Sequence, residues 1–258
     1  MIGKAIGWFF ATARDLLACG LLRLGITPNA LTMIGTGFTI VAGVFFALNI
    51  KTENWAFSLC AAGMLFGSFA CDMLDGTVAR MGKSGTPFGA VLDSAMDRIS
   101  DFSIWAGLGF GFLWCNPANL TFTCLCALGF LEAVMISYVK ARAEDIIDDC
   151  GVGYWQRPER SAAAIIAAFA CNMPAYVVEL SILPLFTLLR RILHTKAILA
   201  GRTPVTNARE GKWYHKIQPW LYPRASWPYD VMTGVYIAFL IWAPVKPDQW
   251  DILRWWLG

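Results

Sequence analysis

Long uncharged runs alternate with short charged ones along this chain. Leu31 to Ile50 carries no charged residue, and neither does Trp55 to Cys71. A helix needs about 20 mostly apolar residues to cross the hydrocarbon core of a bilayer, and only helices and closed barrels satisfy their backbone polar groups there. The two runs therefore predict two spans. Phe88 to Trp114 predicts a third, provided that Asp93, Asp97, Arg98 and Asp101 face protein or water, and Leu120 to Val139 predicts a fourth. From Ser161 to Leu189 the only charge is Glu179, and Asn172, Met173 and Pro174 interrupt the run. Two helices joined by a short turn fit that pattern better than one. The expectation is an all-α polytopic membrane protein, with a six-helix bundle over residues 27–202.

The flanks behave differently. Ile2 to Leu24 interleaves apolar Ile6, Phe9, Phe10, Leu16, Leu17 and Leu21 with a few charges and lacks a small-residue cleavage site, so residues 1–26 read as an interfacial helix rather than a signal peptide. Thr27 followed by Pro28 forms a helix start. After residue 203 the chain turns rich in proline and aromatics, with Pro219, Pro223, Pro228, Pro244 and Pro247, and its role stays open. Val231 to Val245 is apolar but short, which favours an interfacial or re-entrant element over a seventh span.

Composition agrees with a membrane reading: 57% of residues are hydrophobic, 12 are Trp and the mean hydropathy is +0.52. In the predicted arrangement Arg14, Arg23, Arg80, Lys83, Lys140, Arg142, Arg157 and Arg190 share one side, and the opposite loops contribute only Lys51. By the positive-inside rule the expected topology is multi-pass in the cell membrane, with both termini and the aspartate-rich stretch facing the cytoplasm. The net charge of +3 and the lack of basic stretches with interleaved aromatics exclude nucleic acid as an expected partner. Eight scattered cysteines, without a CxxC pair or a histidine cluster, read as packing residues.

The chemistry lies in residues 71–98, CDMLDGTVARMGKSGTPFGAVLDSAMDR. Residues three or four apart share a helix face, so Asp72, Asp75 and Ala79 line one side of the second span, and Gly89, Asp93 and Asp97 line one side of the third. The short turn Gly82 to Pro87 sets these helices antiparallel. Clustered carboxylates near lipid require cations, and oxygen ligands without His or Cys suit magnesium, manganese or calcium. Two such ions can clamp phosphoryl oxygens during an in-line displacement, which makes a pyrophosphate the natural substrate. Gly76 and Gly89 leave backbone room for it, and Arg80 can reach a phosphate. A structural ion-pair network or a carboxylate-lined cation transporter is the competing reading.

The eight positions Asp72, Asp75, Gly76, Ala79, Arg80, Gly89, Asp93 and Asp97 match DxxDGxxAR(x8)GxxxDxxxD, and the chain thereby resembles the CDP-alcohol phosphotransferase family. The resemblance implies a six-helix, usually homodimeric membrane enzyme that cleaves a CDP-linked lipid with two Mg2+ or Mn2+ ions and releases CMP. Asp72, Asp75, Asp93 and Asp97 would hold the metals, and Asp97 would also take the proton of the attacking hydroxyl. Gly76, Ala79, Arg80, Thr86 and Gly89 would contact the CDP moiety, with Asn29, Ala30, Leu31 and Thr32 closing over it. The stretches SYVKARAE, from Ser137, and RPER, from Arg157, resemble those of bacterial phosphatidylinositol-phosphate synthases within that family. That likeness implies an acceptor-phosphate pocket of Ser137, Lys140, Arg157, Arg160 and Arg191, and transfer from CDP-diacylglycerol to inositol 1-phosphate. Glycerol 3-phosphate is the alternative acceptor, since it carries the same phosphate dianion.

Overall fold

The computed structural model describes residues 2–115, 117–208, 211–216, 218, 221, 222, 224 and 226–257, with side chains from Thr12 onward except those of residues 214, 254, 256 and 257. Every element among the described residues is helical. The side chains of Ile6, Phe9 and Phe10 and the tail residues Pro219 and Pro223 lie outside what is described.

Helix α1 (Ile2–Arg23) leads into α2 (Pro28–Thr52), α3 (Trp55–Met81), α4 (Pro87–Leu113) and α5 (Leu120–Glu144). Of these, α2, α3 and α5 are long and apolar enough to cross a membrane. Polar side chains start each of them as helix chemistry requires: Thr27 Oγ1 accepts from Ala30 N, Asn54 Oδ1 from Ala56 N, Thr86 Oγ1 from Gly89 N and Asn119 Oδ1 from Phe122 N. Pro28 and Pro87 follow their caps, where a missing N–H costs nothing.

Small residues let α2, α3 and α4 approach closely. A Cβ added at Gly107 would fall on the Gly43 backbone, and one at Gly43 on the Ser103 carbonyl, so backbone meets backbone where α2 and α4 cross. Hydroxyls supply the remaining adhesion: Thr39 and Ser68 hydroxyls lie 2.8 Å apart, and Ser58 Oγ donates to Ala168 O. At the end of the bundle that carries the aspartates, Ala18 of α1, Leu31 of α2 and Val78 of α3 form a small buried cluster of their own.

The second half is more broken than the sequence suggests. Helix α6 (Arg157–Phe169) gives way to a turn in which Cys171 has a φ of +53°, and α7 (Met173–Leu180) is separated from α8 (Pro184–Leu199) by a turn ahead of Pro184. The break at residues 171–172 matches expectation. The break before Pro184 does not, and it follows from proline's inability to sit within a helix without losing a hydrogen bond.

Past α8, a short α9 (Trp213–Lys216) precedes α10 (Trp227–Trp242) and α11 (Ile252–Leu257). For Val231 to Val245, where the sequence predicts an interfacial or re-entrant element, the structure shows the 16-residue helix α10. Helix α10 starts beside Glu159 at the beginning of α6, where the Tyr229 hydroxyl donates to Glu159 Oε1 at 3.3 Å. It ends beyond the other end of α6, where Asn172 Nδ2 donates to Ala243 O at 2.9 Å. The helix therefore runs alongside α6, in the same direction. Met232 and Leu240 are buried in the main core, because bulky aromatic and aliphatic positions recur on the face turned to α6 and α7. From there the chain stays at the end distant from the aspartates: Asn119 Nδ2 donates to Pro247 O, and Thr121 Oγ1 to Asp251 Oδ1.

Candidate active site

The aspartates gather where α3 and α4 meet the turn between them. Ligand oxygens of Asp72, Asp75 and Asp93 all lie within 4.8 Å of one another. Oxygens around one hard cation at about 2.0–2.6 Å stand at most about 4–5 Å apart, so this donor set fits a magnesium-, manganese- or calcium-like ion. Thr32 Oγ1 donates to Asp75 Oδ2 at 2.8 Å, which fastens the start of α2 to the cluster.

Asp97 stands one guanidinium away from that trio. Arg157 donates from Nη1 to Asp72 Oδ1 at 2.8 Å and pairs through Nη2 with Asp97 Oδ1 at 2.5 Å. The other oxygen of Asp97 lies 3.6 Å from Arg98 Nη2. The expectation of four aspartates converging is thus met by three, with the fourth bridged to them by an arginine. Below Asp72 and Arg157 a cavity of about 210 Å³ reaches between α2, α3, α4 and α6, lined also by Thr39, Ser68, Ser100 and Asp101.

The expected CDP contacts sit on the adjoining surface. A Cβ on Gly89 would approach Asn29 Oδ1 and Thr86 Oγ1 to 3.2 Å, so that glycine keeps the start of α2 close to the start of α4. Arg80 Nη2 donates to Thr77 Oγ1, and its Nη1 would lie 3.4 Å from a Cβ on Gly76. Asn29 and Thr86 line a second cavity of about 380 Å³ together with Gly25, Thr27, Gly82 and Ser84. Of the other two expected contacts, Ala30 N is engaged by the Thr27 cap, and the Leu31 side chain is buried against Ala18 and Val78. Ala79 is half-buried, and its carbonyl accepts from Ser84 N in the turn.

The expected acceptor-phosphate set divides. Arg157 and Lys140 are accessible, with side chains 31% and 41% exposed, and Lys140 lies 3.7 Å from Glu144. Arg160 and Arg191 are 6% and 3% exposed and already hydrogen-bonded. Arg160 donates to Trp155 O and pairs with Asp101 at 3.3 Å, while Arg191 donates to Ile136 O at 2.6 Å and Val152 O at 3.1 Å. These two guanidinium groups stitch the 145–156 connection to α4, α5 and α8. Ser137 Oγ donates to Ala133 O within its own helix.

Asp101, Glu159 and Arg98 were not among the expected site residues. Asp101 had a signal, since it continues the four-residue spacing of Asp93 and Asp97 along α4.

Against known proteins, residues 25–201 match the family described as CDP-alcohol phosphatidyltransferase. The chain belongs to the CDP-alcohol phosphatidyltransferase family. It is 38% identical over 161 residues to the phosphatidylinositol phosphate synthase of Mycobacteroides abscessus, a match covering 62% of this chain and 69% of that protein. It is 32% identical over 192 residues to the synthase of that name from Corynebacterium glutamicum, covering 72% of this chain and 82% of the relative. Among solved structures it resembles the Mycobacterium tuberculosis phosphatidylinositol phosphate synthase with CDP-DAG bound, at a TM-score of 0.62 and 28% identity, covering 70% of this chain and 92% of that one. The same enzyme in complex with manganese and citrate gives a TM-score of 0.61 at 29% identity, covering 70% and 88%. This CDP-alcohol phosphatidyltransferase is therefore an all-helical membrane enzyme whose acidic cluster suits a divalent metal. The family match ends at residue 201, so α10 and α11 lie outside it.

Proposed function

We propose that the enzyme moves the phosphatidyl group of CDP-diacylglycerol to inositol 1-phosphate and releases CMP. The observation that carries this reading is the trio of Asp72, Asp75 and Asp93 oxygens within 4.8 Å, with Asp97 held beside it by Arg157. Two Mg2+ or Mn2+ ions bound by the four aspartates would offset the charge of the diphosphate and polarise its phosphoryl oxygens. The protein's own groups do the rest. Asn29, Thr32, Gly76, Arg80, Thr86 and Gly89 receive the cytidine diphosphate where α2, α3 and α4 begin or end. Asp97 accepts the proton of the acceptor hydroxyl as its oxygen bonds to the phosphorus that carries the diacylglycerol. The bond from that phosphorus to CMP breaks, and CMP leaves with the electron pair.

Arg157 and Lys140 are the accessible cations of the acceptor set, so they meet the acceptor phosphate first, and Arg157 exchanges a carboxylate for it. A planar guanidinium suits either partner, because both present paired oxygens. Ser137, Arg160 and Arg191 shape the wall behind them. The relatives' names support inositol phosphate over glycerol 3-phosphate. The aspartates face the cytoplasm in a cell membrane that α10 crosses once more than the six passes of the family domain, residues 1–26 lie at the interface, and the enzyme acts as a homodimer.

The test is direct. Purified enzyme given CDP-diacylglycerol, Mg2+ or Mn2+ and separate acceptor alcohols should release CMP and yield a lipid of the mass of phosphatidylinositol phosphate with inositol 1-phosphate. A product formed only with glycerol 3-phosphate would transfer the assignment to that acceptor. Ion flux without CMP would favour a transporter.

A further inference from the structure

The extension beyond the family domain makes its most polar contact with the most functional turn of that domain. Arg224 pairs with Glu159, and the Tyr229 hydroxyl donates to the same carboxylate oxygen. Glu159 is only 13% exposed. It sits in the first turn of α6 between Arg157 and Arg160. Residues three apart share a helix face, so Arg157 and Arg160 turn together toward Asp72, Asp97 and Asp101, while Glu159 points away from them to α10.

The turn needs such an anchor. Gln156, at the N-cap position of α6, makes no side-chain cap bond; its Nε2 donates instead to Gly151 O and Gly153 O. The preceding aromatics lean on the extension as well. The Tyr154 hydroxyl donates to Thr233 Oγ1 at 3.0 Å, and the Tyr154 ring lies 5.2 Å from those of both Tyr229 and Tyr236. Trp155, whose carbonyl accepts from Arg160, lies 5.1 Å from Tyr236.

We propose that Glu159, gripped by Arg224 and Tyr229 of the C-terminal extension, is a positioning residue that sets where Arg157 stands between the aspartates and the acceptor phosphate. The inference rests on the acceptor reading given above. Two charge-assisted bonds on the far side of the turn fix the roll of its first helical turn, and Arg157 projects from the opposite side of that turn. Loosening the grip moves the guanidinium without touching substrate contacts directly.

Arg224→Ala and Glu159→Gln should each raise the KM for inositol phosphate about tenfold, the scale of one lost charge-assisted hydrogen bond. The KM for CDP-diacylglycerol should change less than about twofold, since its contacts lie on α2, α3 and α4, and Arg224→Lys should restore most of the loss because it keeps the charge. Hydrogen exchange should quicken across residues 151–163 in the alanine variant and stay unchanged in α2 to α4. Equal rises in both KM values, a fall in thermal stability alone, or no kinetic change would overturn the proposal. If the unaltered enzyme released CMP with no acceptor, the functional reading would fall instead. The exchange data would then judge the grip: quickening confined to 151–163 upholds it, and none refutes it.

Discussion

Arg157 holds Asp72 and Asp97 with a single guanidinium, which places a cation among the acids at a point where the reaction needs a free base. Asp97 is the aspartate outside the close trio, and arginines pair with it directly while Asp93 and Asp72 stand nearby. That separation suits the proposal that Asp97, beside its share in holding metal, is the aspartate that handles the proton. Asp97→Asn keeps size and polarity but removes basicity, so turnover should fall about 10²- to 10⁴-fold, the usual contribution of a general base. Binding of CDP-diacylglycerol, read by equilibrium titration, should persist, because the nucleotide contacts lie on other residues. Lost lipid binding with normal turnover of the bound fraction would reverse the assignment. The aspartates were legible in the sequence because their spacing of three and four residues is itself helix geometry. Arg157's partnership was not, because it joins positions 85 residues apart and the positive-inside rule already explains a basic residue there. The surroundings of Arg191 were hidden for a related reason: charge is visible in a sequence, but burial against the Ile136 and Val152 carbonyls is not.

Helices here are placed by what they lack as much as by what they carry. At the crossing of α2 and α4, Gly43 and Gly107 remove the side chains that would hold the backbones apart, and this contact positions Asp93 and Asp97 relative to Thr32 and Asn29. Gly107→Val should cost about 2 kcal/mol or more by overpacking, since the obstructing atoms are backbone and cannot rotate aside. Its unfolding temperature in detergent should drop by several degrees, while Gly37→Ala, on the same α2 with open space around it, should leave that temperature nearly unchanged. Equal melting of the two variants would show that the crossing is loose. Four of the long helices were readable, α2 and α3 from uncharged runs and α4 and α5 from apolar runs broken by few charges. The split before Pro184 was missed because a proline within an apolar run reads equally as a kink or a start, and only the hydrogen bonds of Leu183 and Phe186 decide.

At the scale of the whole molecule, the direction of each helix can be followed from the aspartates outward. Helix α3 runs toward them, α4 away, α5 back and α6 away, and α7 with α8 returns. Helix α10 then departs again, from Glu159 to the Asn172 end, and the tail settles on Asn119 and Thr121 at the start of α5. Among the described residues that path leads away from the active site, and we propose that α10 crosses, in place of the expected arrangement with both termini on one side. At 16 residues α10 makes about 24 Å of helix, short of a hydrocarbon core of about 30 Å, which is why its length alone argued against a span. Its neighbour α6 has 13 residues, about 20 Å, so a thinned bilayer or tilted packing would serve both in such a crossing. Trp227 and Trp242, at the two ends of α10, are 77% and 74% exposed, the placement expected of an aromatic belt at each interface. Charge agrees: Arg202, Arg209, Lys212, Lys216 and Arg224 precede α10, while Lys246 and Arg254 after it are balanced by Asp248 and Asp251. An epitope placed after Gly258 should therefore be reached by a membrane-impermeant reagent from the outer face of sealed cells, and the same epitope near Lys212 only after permeabilisation. Protection of both, or exposure of both, would confine α10 to one face and leave the grip on Glu159 to a helix that does not cross.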